Sequence, residues 1–344
     1  MTELTESVPD AASAAVKRLA NGFCHAKLLL AAEELGVFAD LHRHGPSTGE
    51  DIVERLPLHT RGARELLHGL VLLGLLERRD GHYANSAAAT AALVPGGADY
   101  IGGFLRRADR MLYPAWQNLA EALVSGRPQA PGAGPEAFRT MLGDPRQREQ
   151  YLRMMDSANG LVAGHLADAL DWAAHGDVAD IGGCRGNLVG QLLRRHTTLR
   201  ATVFDLPELA EPFAEHVTAL GVADRAGFRA GDFFSDPLPE ADVVILGHVL
   251  HNWSVAQREF LVAKAYRAVR PGGALLIYDA MLDEEPTDLA RVLVSLNMLL
   301  VTEEGSEYTA GEAAGWLGAA GCGDVRVAPL GPADTLVVGR KPAA

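Results

Sequence analysis

The chain has 344 residues, 48% hydrophobic and 22% charged, which is enough apolar material for two packed domains and too much for a disordered protein. Its formal net charge of -13 argues against general binding to nucleic acid, because phosphate binding requires clustered lysines and arginines. The acidic N-terminus lacks the pattern of a signal peptide, and no apolar run can span a bilayer, so we expect a cytoplasmic protein outside membranes.

Residues 11–97 carry apolar side chains at intervals of three and four, which predicts helices. Residues 47–53 have the pattern of a capped helix start, 61–76 form a second amphipathic stretch, and a polar hairpin is expected at 79–81. Helix, helix and wing is the order of a winged-helix domain. Arginines and acids are about balanced here, so we expect a packing or dimerisation module. A DNA-binding regulator is the alternative, which a gel-shift experiment would test.

Helical periodicity continues from residue 98 to 165, interrupted at 126–135 by glycines and prolines that cannot sustain a helix. We therefore divide the chain into three regions. Residues 1–97 form the N-terminal helical, winged-helix-like domain, 98–165 a helical linker and substrate-pocket region, and 166–344 a cofactor-binding catalytic domain.

After residue 176, short β-rich runs alternate with helical segments. Seven strands are predicted, at residues 178–182, 201–205, 226–230, 243–247, 274–279, 325–328 and 335–339. Such alternation is typical of right-handed βαβ crossovers, which build a mostly parallel sheet. We expect a Rossmann-like α/β fold with ligands bound at the carboxyl ends of the strands.

Three features at successive strand ends predict a nucleoside cofactor. The first is the glycine turn at residues 180–186, where glycine permits a tight turn and close backbone approach. The second is Asp205, about 20 residues on, placed to accept hydrogen bonds from ribose hydroxyls. The third is Asp232, which can accept from an adenine amino group while Phe233 flanks the ring. Taken singly, either aspartate is also consistent with capping a helix or closing a turn, but the three features together indicate a binding site.

The pattern D-x-G-x-x-x-G without G-x-G-x-x-G favours S-adenosylmethionine over NAD. The residues expected to contact this cofactor are Gly182, Asp205, Leu206, Asp232, Phe233 and Gly247. Cys184 stands where such loops usually have another glycine. We therefore expect the methionine end of the cofactor to be held differently.

Two histidines, His248 and His251, follow the fourth strand at the edge where chemistry occurs in this architecture. An imidazole can take a proton from a hydroxyl near neutral pH. A lone histidine beside a tryptophan is also commonly a hydrogen-bonded core residue. The spacing of three would suit a metal ion, but no third ligand accompanies the pair, and no metal site is predicted.

A succession of motifs places the chain beside a known family. The motifs are D-L-P at 205–207, G-D-F-F at 231–234, H-N-W-S at 251–254, P-G-G at 271–273 and G-S-E-Y-T at 305–309. With the N-terminal domain, this succession resembles the caffeate-type O-methyltransferases, whose bacterial members often tailor antibiotics. The resemblance covers nearly the whole chain and implies a homodimer, for which an apolar stripe at residues 28–37 is available.

The resemblance implies transfer of a methyl group from S-adenosylmethionine to a hydroxyl of an aromatic or polyketide-like natural product. It implies that His251 is the general base and that Glu307 and Asp279 steady its imidazole. Asp279 is one methylene shorter than the glutamate often found there, so we expect its contact with His251 to be lost or bridged by water. Some relatives of this fold catalyse hydroxylation, decarboxylation or cyclisation, which stays open as an alternative reaction.

The resemblance also implies which residues face the acceptor. They are Asn252, which replaces a commoner aspartate, Asn297, Met298, Met155 and Met111. Methionine adapts well to flat aromatic ligands. At helical spacing, however, methionines are also typical of ordinary core packing.

Overall fold

The computed structural model describes residues 8–97, 100–130 and 134–343. The chain divides into two compact units, Met1–Arg110 and Met111–Ala344. Within the described residues, no helix is both long enough and apolar enough to cross a lipid bilayer.

The first unit is helical with one small hairpin. Its helices are α1 (Val8–Ala20), α2 (Gly22–Glu34), α3 (Val37–His44), α4 (Gly49–Arg55), α5 (Thr60–Leu72), α6 (Ala87–Leu93) and α7 (Gly102–Arg107). The hairpin predicted at residues 79–81 is confirmed, with strands β1 (Leu76–Arg79) and β2 (His82–Asn85) paired antiparallel. Helix α5 ends before residue 76, the predicted end, because Leu76 already belongs to β1.

The predicted helix start at residues 47–53 is confirmed in the first unit. Thr48 caps α4 in a reciprocal box: the Asp51 backbone N–H donates to Thr48 Oγ1 at 3.2 Å, and the Thr48 N–H donates to Asp51 Oδ2 at 3.0 Å. Part of the apolar stripe at residues 28–37, which the sequence offered for a dimer interface, is buried inside the unit, since Leu30, Ala32 and Val37 are buried. That part of the stripe packs the core of the unit.

The second unit is a doubly wound α/β domain. Its helices are α8 (Tyr113–Trp116), α9 (Leu119–Ser125), α10 (Pro135–Gly143), α11 (Pro145–Ala169), α12 (Asn187–Arg195), α13 (Ala210–Ala219), α14 (Val255–Ala268), α15 (Leu289–Val301) and α16 (Ala310–Ala320). Its strands are β3 (Asp177–Ile181), β4 (Arg200–Asp205), β5 (Ala226–Ala230), β6 (Ala241–Gly247), β7 (Val269–Asp279), β8 (Asp324–Leu330) and β9 (Asp334–Arg340). The interruption predicted at residues 126–135 separates α9 from α10, and its residues 131–133 lie outside the described part.

The seven strands form one sheet in the order β5-β4-β3-β6-β7-β9-β8. Strands β3 to β7 run parallel to one another, whereas β9 runs antiparallel to both β7 and β8. The predicted fold class, a Rossmann-like and mostly parallel sheet with an N-terminal helical unit, is confirmed.

The central strands are buried on both faces, which explains their nearly continuous apolar sequence. Val243 and Ile245 of β6 point into a core that includes Leu192 of α12, and Val244 of the same strand points into a second core that includes Leu261 of α14. Helices therefore cover both sides of the sheet. The carboxyl ends of the parallel strands are left to carry the site.

Candidate active site

The glycine turn after β3 depends on left-handed backbone. Gly182 has φ 78° and Gly186 φ 77°. A Cβ on Gly182 would lie 2.7 Å from Cγ2 of Val249, and one on Gly186 would lie 2.8 Å from the Phe213 ring. Both positions therefore require glycine for space as well as for conformation.

Cys184 adopts the same left-handed conformation, with φ 56°, although it carries a side chain. Its thiol is buried in a cluster with Leu142, Leu152 and Leu209. Burial raises the pKa of the thiol well above its ordinary value, so the group stays protonated and packs as a small apolar side chain. Cysteine in place of glycine therefore strains the backbone at this position, but its side chain gains packing contacts with α10 and α11.

Replacing Cys184 by glycine and by alanine separates strain from packing. Both variants lose the thiol, but alanine keeps a Cβ in the left-handed conformation, which costs about 1 kcal/mol. We expect the glycine variant to be the more stable of the two by about 1 kcal/mol in urea unfolding, the reverse of the usual order. The same pair at Cys322, whose φ is not positive, is the control and should favour alanine. Equal stabilities at residue 184 would contradict the strain.

Asp205 braces the glycine turn from the end of β4. Its Oδ2 accepts from the Cys184 N–H at 2.8 Å, and its Oδ1 accepts from the Leu206 N–H at 2.7 Å. Burial raises the pKa of this carboxyl to about 6, against the lowering effect of the two N–H groups. Each oxygen retains a lone pair, so ribose hydroxyls can still donate to the carboxylate.

Asp180, which the sequence reasoning did not assign to the cofactor, is a buried carboxylate at the end of β3. Within the described residues its Oδ2 has no hydrogen-bond partner, and a Cβ on Gly183 would come within 2.5 Å of that atom. Burial, and then the charge of Asp205, raise the pKa of Asp180 to about 7. An orphaned acceptor beside a tight glycine turn suits a ligand that brings a donor or a cation. Asp180 is the first residue of the pattern D-x-G-x-x-x-G, and this position in the motif is the sequence feature that could have identified it as a cofactor residue.

Asp232, expected to meet an adenine amino group, is occupied by protein groups. Its Oδ2 accepts from Arg139 of α10 at 2.7 Å, and its Oδ1 accepts from the Phe234 N–H at 2.9 Å. Phe233 lies edge-on to Trp253, with ring centroids 5.7 Å apart. An adenine amino group would therefore have to share or replace the Arg139 contact.

Gly247, the last residue of β6, makes room for a side chain of the neighbouring strand. A Cβ at this position would lie 2.0 Å from the ring of Tyr278. Tyr278 is buried, and burial followed by the charge of Asp180 raises the pKa of its phenol well above the ordinary value. The missing side chain at residue 247 thus lets Tyr278 extend across the strand end.

His251 lies in a 3-10 turn after β6 and meets two buried carboxylates at one nitrogen. Its Nδ1 is 2.7 Å from Glu307 Oε1, in hydrogen-bond geometry, and 3.1 Å from Asp279 Oδ1. The latter is a charge contact without hydrogen-bond geometry. Glu307 Oε2 accepts from the Met281 N–H at 3.2 Å. With the proton on Nδ1 donated to Glu307, Nε2 is left as the basic atom.

The expectation that Asp279 loses direct contact with His251 is wrong. β7 extends to Asp279 and places its fully buried side chain beside the imidazole, so the shorter aspartate still approaches Nδ1. What is missing is only the hydrogen bond, which Glu307 makes instead.

The two carboxylates make the imidazole strongly basic. Burial by itself lowers the pKa of His251, but Asp279 and the hydrogen-bonded Glu307 outweigh it and raise the pKa to about 9, while Arg258 opposes them. The raised pKa favours the protonated imidazole in the free protein, and the form with an unprotonated Nε2 is the one that can act as a base. The capacity of His251 to take a proton should increase as the pH rises toward 9 or as a cation binds nearby.

His248 does not share the surroundings of His251. Its Nε2 lies 3.0 Å from Asp334 Oδ1, and its ring lies nearly parallel to that of His251 at a centroid distance of 6.0 Å. Ligand atoms of His251, Asp279 and Glu307 fall within 4.8 Å of one another, a spacing that would also suit a cation. In the tautomer that donates from Nδ1 to Glu307, this nitrogen has no lone pair to offer a metal ion.

The two asparagines expected near the acceptor are both anchored. Asn297 of α15 accepts at Oδ1 from the indole N–H of Trp116 at 2.7 Å, which turns its amide NH2 group away from Trp116. Asn252 donates from Nδ2 to the carbonyls of His248 and Val249, each at 3.2 Å. Asn252 therefore holds the turn that carries His251.

The three methionines expected near the acceptor lie in different surroundings. Met155 packs beside the buried cluster of Cys184 and Leu142. Met111 packs beside Leu300 in another cluster, and Met298 is buried within α15. The contacts of Met155 and Met111 are those of helix packing, the alternative that the sequence left open.

Comparison with known proteins decides the family. The model of the O-methyltransferase domain matches residues 116–323, and that of the O-methyltransferase dimerisation domain matches residues 17–95. The chain belongs to the O-methyltransferase family. A tetracenomycin polyketide synthesis 8-O-methyl transferase from Streptomyces glaucescens is 45% identical over 95% of this chain and 96% of its own length.

Two further members show the breadth of the O-methyltransferase family. An N,N-dimethyltransferase from Streptomyces rimosus is 39% identical over 90% of each chain. The crystal structure of human N-acetylserotonin methyltransferase in complex with S-adenosylmethionine matches with a TM-score of 0.89 and 30% identity, over 99% of this chain and 100% of that one. The predicted family and enzyme class are confirmed. The alternative of a reaction other than methyl transfer finds no support among these relatives.

Proposed function

We propose that this enzyme transfers a methyl group from S-adenosylmethionine to a hydroxyl of an aromatic or polyketide-like natural product, with His251 as general base. One observation carries the choice of a hydroxyl. His251 is held through Nδ1 by two buried carboxylates, at the same sheet edge as the glycine turn. A hydroxyl acceptor must lose its proton to become a good nucleophile, and such an imidazole is suited to removing it. An uncharged amine can attack through its lone pair without losing a proton first.

The chain has a separate task at each step of methyl transfer. When bound, S-adenosylmethionine supplies a methyl group on a sulfonium leaving group, so alignment and proton removal are the main requirements. Nε2 of His251 takes the proton from the acceptor hydroxyl. Glu307 fixes the tautomer and orientation of the ring, and both carboxylates stabilise the imidazolium that results. The proton leaves His251 for solvent after the methylated product departs.

The residues proposed to hold the cofactor are Gly182, Asp205, Leu206, Asp232, Phe233 and Gly247, to which we add Asp180. The orphaned Oδ2 of Asp180 supports a contact with the cofactor's amino group. The carboxylate of Asp205, fixed by two N–H groups, supports a contact with the ribose. The acceptor chemistry of these two carboxylates fits the amino group and the ribose hydroxyls of S-adenosylmethionine.

For the acceptor we propose Asn252, Asn297, Met298, Met155 and Met111 as lining residues. Asn297 has the strongest support, because the Trp116 indole fixes its carbonyl and leaves the amide NH2 group to donate to an oxygen of the acceptor. Fixed donors of this kind set the orientation of a flat ligand.

The test is a matched pair of acceptors. The enzyme is incubated with methyl-labelled S-adenosylmethionine and either a polycyclic phenol or the amine analogue of the same ring system. We expect label transfer to the phenol and a product heavier by one methyl group. Methylation of the amine alone, as the name of one relative would suggest, would contradict the proposal. A product without an added methyl group would do so as well.

We propose that the enzyme is a homodimer formed through its dimerisation domain. Val16, Leu19 and Phe23, on α1 and the start of α2, are 68%, 80% and 60% exposed. Single exposed apolar side chains are ordinary, but a stripe of three along consecutive helices supports an interface.

A charge in this stripe should break the dimer. In a two-fold interface Leu19→Glu introduces the buried charge twice and removes two apolar contacts, each worth about 1.5 kcal/mol or more. We expect the dissociation constant of the dimer, measured by sedimentation equilibrium, to increase by about 100-fold. Arg79→Glu, on the exposed hairpin, is the control and should leave the dimer unchanged. A Leu19→Glu protein that stays dimeric at low micromolar concentration would contradict this interface.

The proposal includes a cytoplasmic location. Cys24, Cys184 and Cys322 are free thiols, which supports a reducing compartment. A small-molecule acceptor and the soluble cofactor S-adenosylmethionine are the only partners proposed besides a second copy of the chain.

A further inference from the structure

Asp279 is anchored by a residue that follows Glu307 in the chain. The hydroxyl of Tyr308 donates to Asp279 Oδ2 at 2.5 Å, while Oδ1 of the same carboxylate lies 3.1 Å from Nδ1 of His251. Tyr308 is 1% exposed and Asp279 is fully buried. The phenol is therefore part of a connected chain of polar groups that leads to the imidazole.

The ring of Tyr308 is itself clamped. The guanidinium carbon of Arg258 lies 5.1 Å from its centroid, and the Trp316 ring lies 5.0 Å from it on a tilted approach. Tyr308 thus presents its hydroxyl in one direction. Burial, and then Asp279, raise the pKa of the phenol well above its ordinary value, so it is a donor at neutral pH.

We propose that Tyr308 is a positioning residue for methyl transfer, whose hydroxyl keeps Asp279 ionised and directed at Nδ1 and so increases the basicity of His251. The proposal rests on the proposed role of His251 as the base. It identifies a buried residue that acts on the imidazole through Asp279.

The physical reason lies in the crowding of two carboxylates. Burial, and then the charge of Glu307, raise the pKa of Asp279, whereas His251 and His248 and the hydroxyl of Tyr308 lower it, which leaves it at about 6. A hydrogen bond donated to the ionised form favours that form. Without the hydroxyl, Asp279 should bind a proton at higher pH, and the imidazolium of His251 should lose part of the charge that stabilises it.

A test of Tyr308 must leave the other charged groups around the imidazole unchanged. His251 faces Asp279 and Glu307, with Arg258 opposing both, and the ring of His248 lies alongside. Tyr308→Phe removes one hydroxyl and keeps the aromatic ring over Arg258. The change therefore acts on Asp279 and leaves the other groups in place.

The experiment measures the pKa of His251 directly by NMR titration of protein with ring-labelled histidine, the signal being assigned by its loss in His251→Asn. We expect Tyr308→Phe to lower this pKa by about one unit, a tenfold change in the ionisation equilibrium. The pH profile of kcat should shift to lower pH by the same amount, with little change in KM. Tyr266→Phe, which removes a hydroxyl bonded to the Gly321 carbonyl, is the matched control and should move neither quantity.

Each outcome decides a separate point. An unchanged His251 pKa in folded Tyr308→Phe protein would overturn the role of Tyr308. A wild-type rate profile that does not follow the His251 pKa would overturn the base assignment instead, whatever Tyr308→Phe does to the titration. If Tyr308→Phe does not fold, Asp279→Asn tests the step on which the inference depends: a His251 pKa that fails to decrease in folded Asp279→Asn protein overturns it. If Tyr308→Phe does fold, adding it to Asp279→Asn should have no further effect on the His251 pKa.

Discussion

Replacing His251 with alanine should reduce kcat by about 100-fold to 10,000-fold, the range usual for loss of a general base. The hydroxyl of the acceptor would then lose its proton only to solvent, while Asp279 and Glu307 would remain as two buried acids without an imidazole between them. Cofactor binding should persist, because Asp180, Asp205 and the glycine turn do not depend on the imidazole. The measurement is single-turnover transfer of labelled methyl, with calorimetric titration of S-adenosylhomocysteine as the binding assay.

The control for this variant is His82→Ala, in the exposed hairpin of the first unit, which should be fully active. Full activity of His251→Ala would refute the base assignment. Loss of S-adenosylhomocysteine binding together with activity would show instead that residue 251 supports the cofactor site.

The pH dependence of the wild-type enzyme follows from the same residue. Because the pKa of His251 is raised to about 9, the unprotonated form that acts as a base increases as the pH rises through 9. The contribution of the imidazolium and its two carboxylates to the free energy of unfolding decreases as the pH rises. It is fully present below about 6.5, the unfolded value, and is lost as the pH rises through the folded value near 9. Activity and this part of stability should therefore change in opposite directions with pH.

The sequence was sufficient to predict what depends on local pattern. Short β-rich runs between helical segments predicted the seven strands, and topology then requires that the ends of β3, β4 and β6 meet at one edge of the sheet. Asp205 and His251 could be placed there because Asp205 ends β4 and His251 lies in the short turn after β6. The resemblance added Glu307, which lies far from His251 in the chain and belongs to no strand end.

Contacts between distant segments could not be predicted in the same way. Arg139 of α10 meets Asp232 across 93 positions of sequence, and no periodicity relates them. The direct approach of Asp279 to His251 depends on where β7 ends relative to the 3-10 turn that carries His251. The length of the side chain alone does not determine the distance between the carboxylate and the imidazole. The orphaned oxygen of Asp180 is likewise visible only when every neighbouring donor has been located.

Arg258 explains how the two loops that bear the catalytic groups are kept together. Its side chain is 2% exposed, and its Nε donates to the Leu250 carbonyl at 3.0 Å. Its Nη2 donates to the carbonyl and the hydroxyl of Ser306 at 2.6 and 2.9 Å. Leu250 precedes His251 and Ser306 precedes Glu307, so one guanidinium joins the backbone beside the base to the backbone beside its acid. Burial lowers the pKa of Arg258, but hydrogen bonding keeps the fork in place.

Arg258→Met should accordingly destabilise the enzyme by about 3 kcal/mol, since it removes three charge-assisted hydrogen bonds and the charge over Tyr308. The Ser306 carbonyl loses its Arg258 donor, whereas the Leu250 carbonyl keeps the Trp253 N–H at 3.1 Å. The measurement is the urea midpoint of the second unit's unfolding at neutral pH. Arg270→Met is the matched control: its guanidinium pairs with Asp177 and Asp242 at the surface, where ion pairs contribute about 1 kcal/mol or less. Arg258→Lys should recover only part of the loss, because an ammonium cannot reach Leu250 and Ser306 together in the fork geometry. If Arg258→Met and Arg270→Met unfold at the same urea concentration, Arg258 does not join the two loops, and the alignment of His251 with Glu307 must come from the sheet and α16 alone.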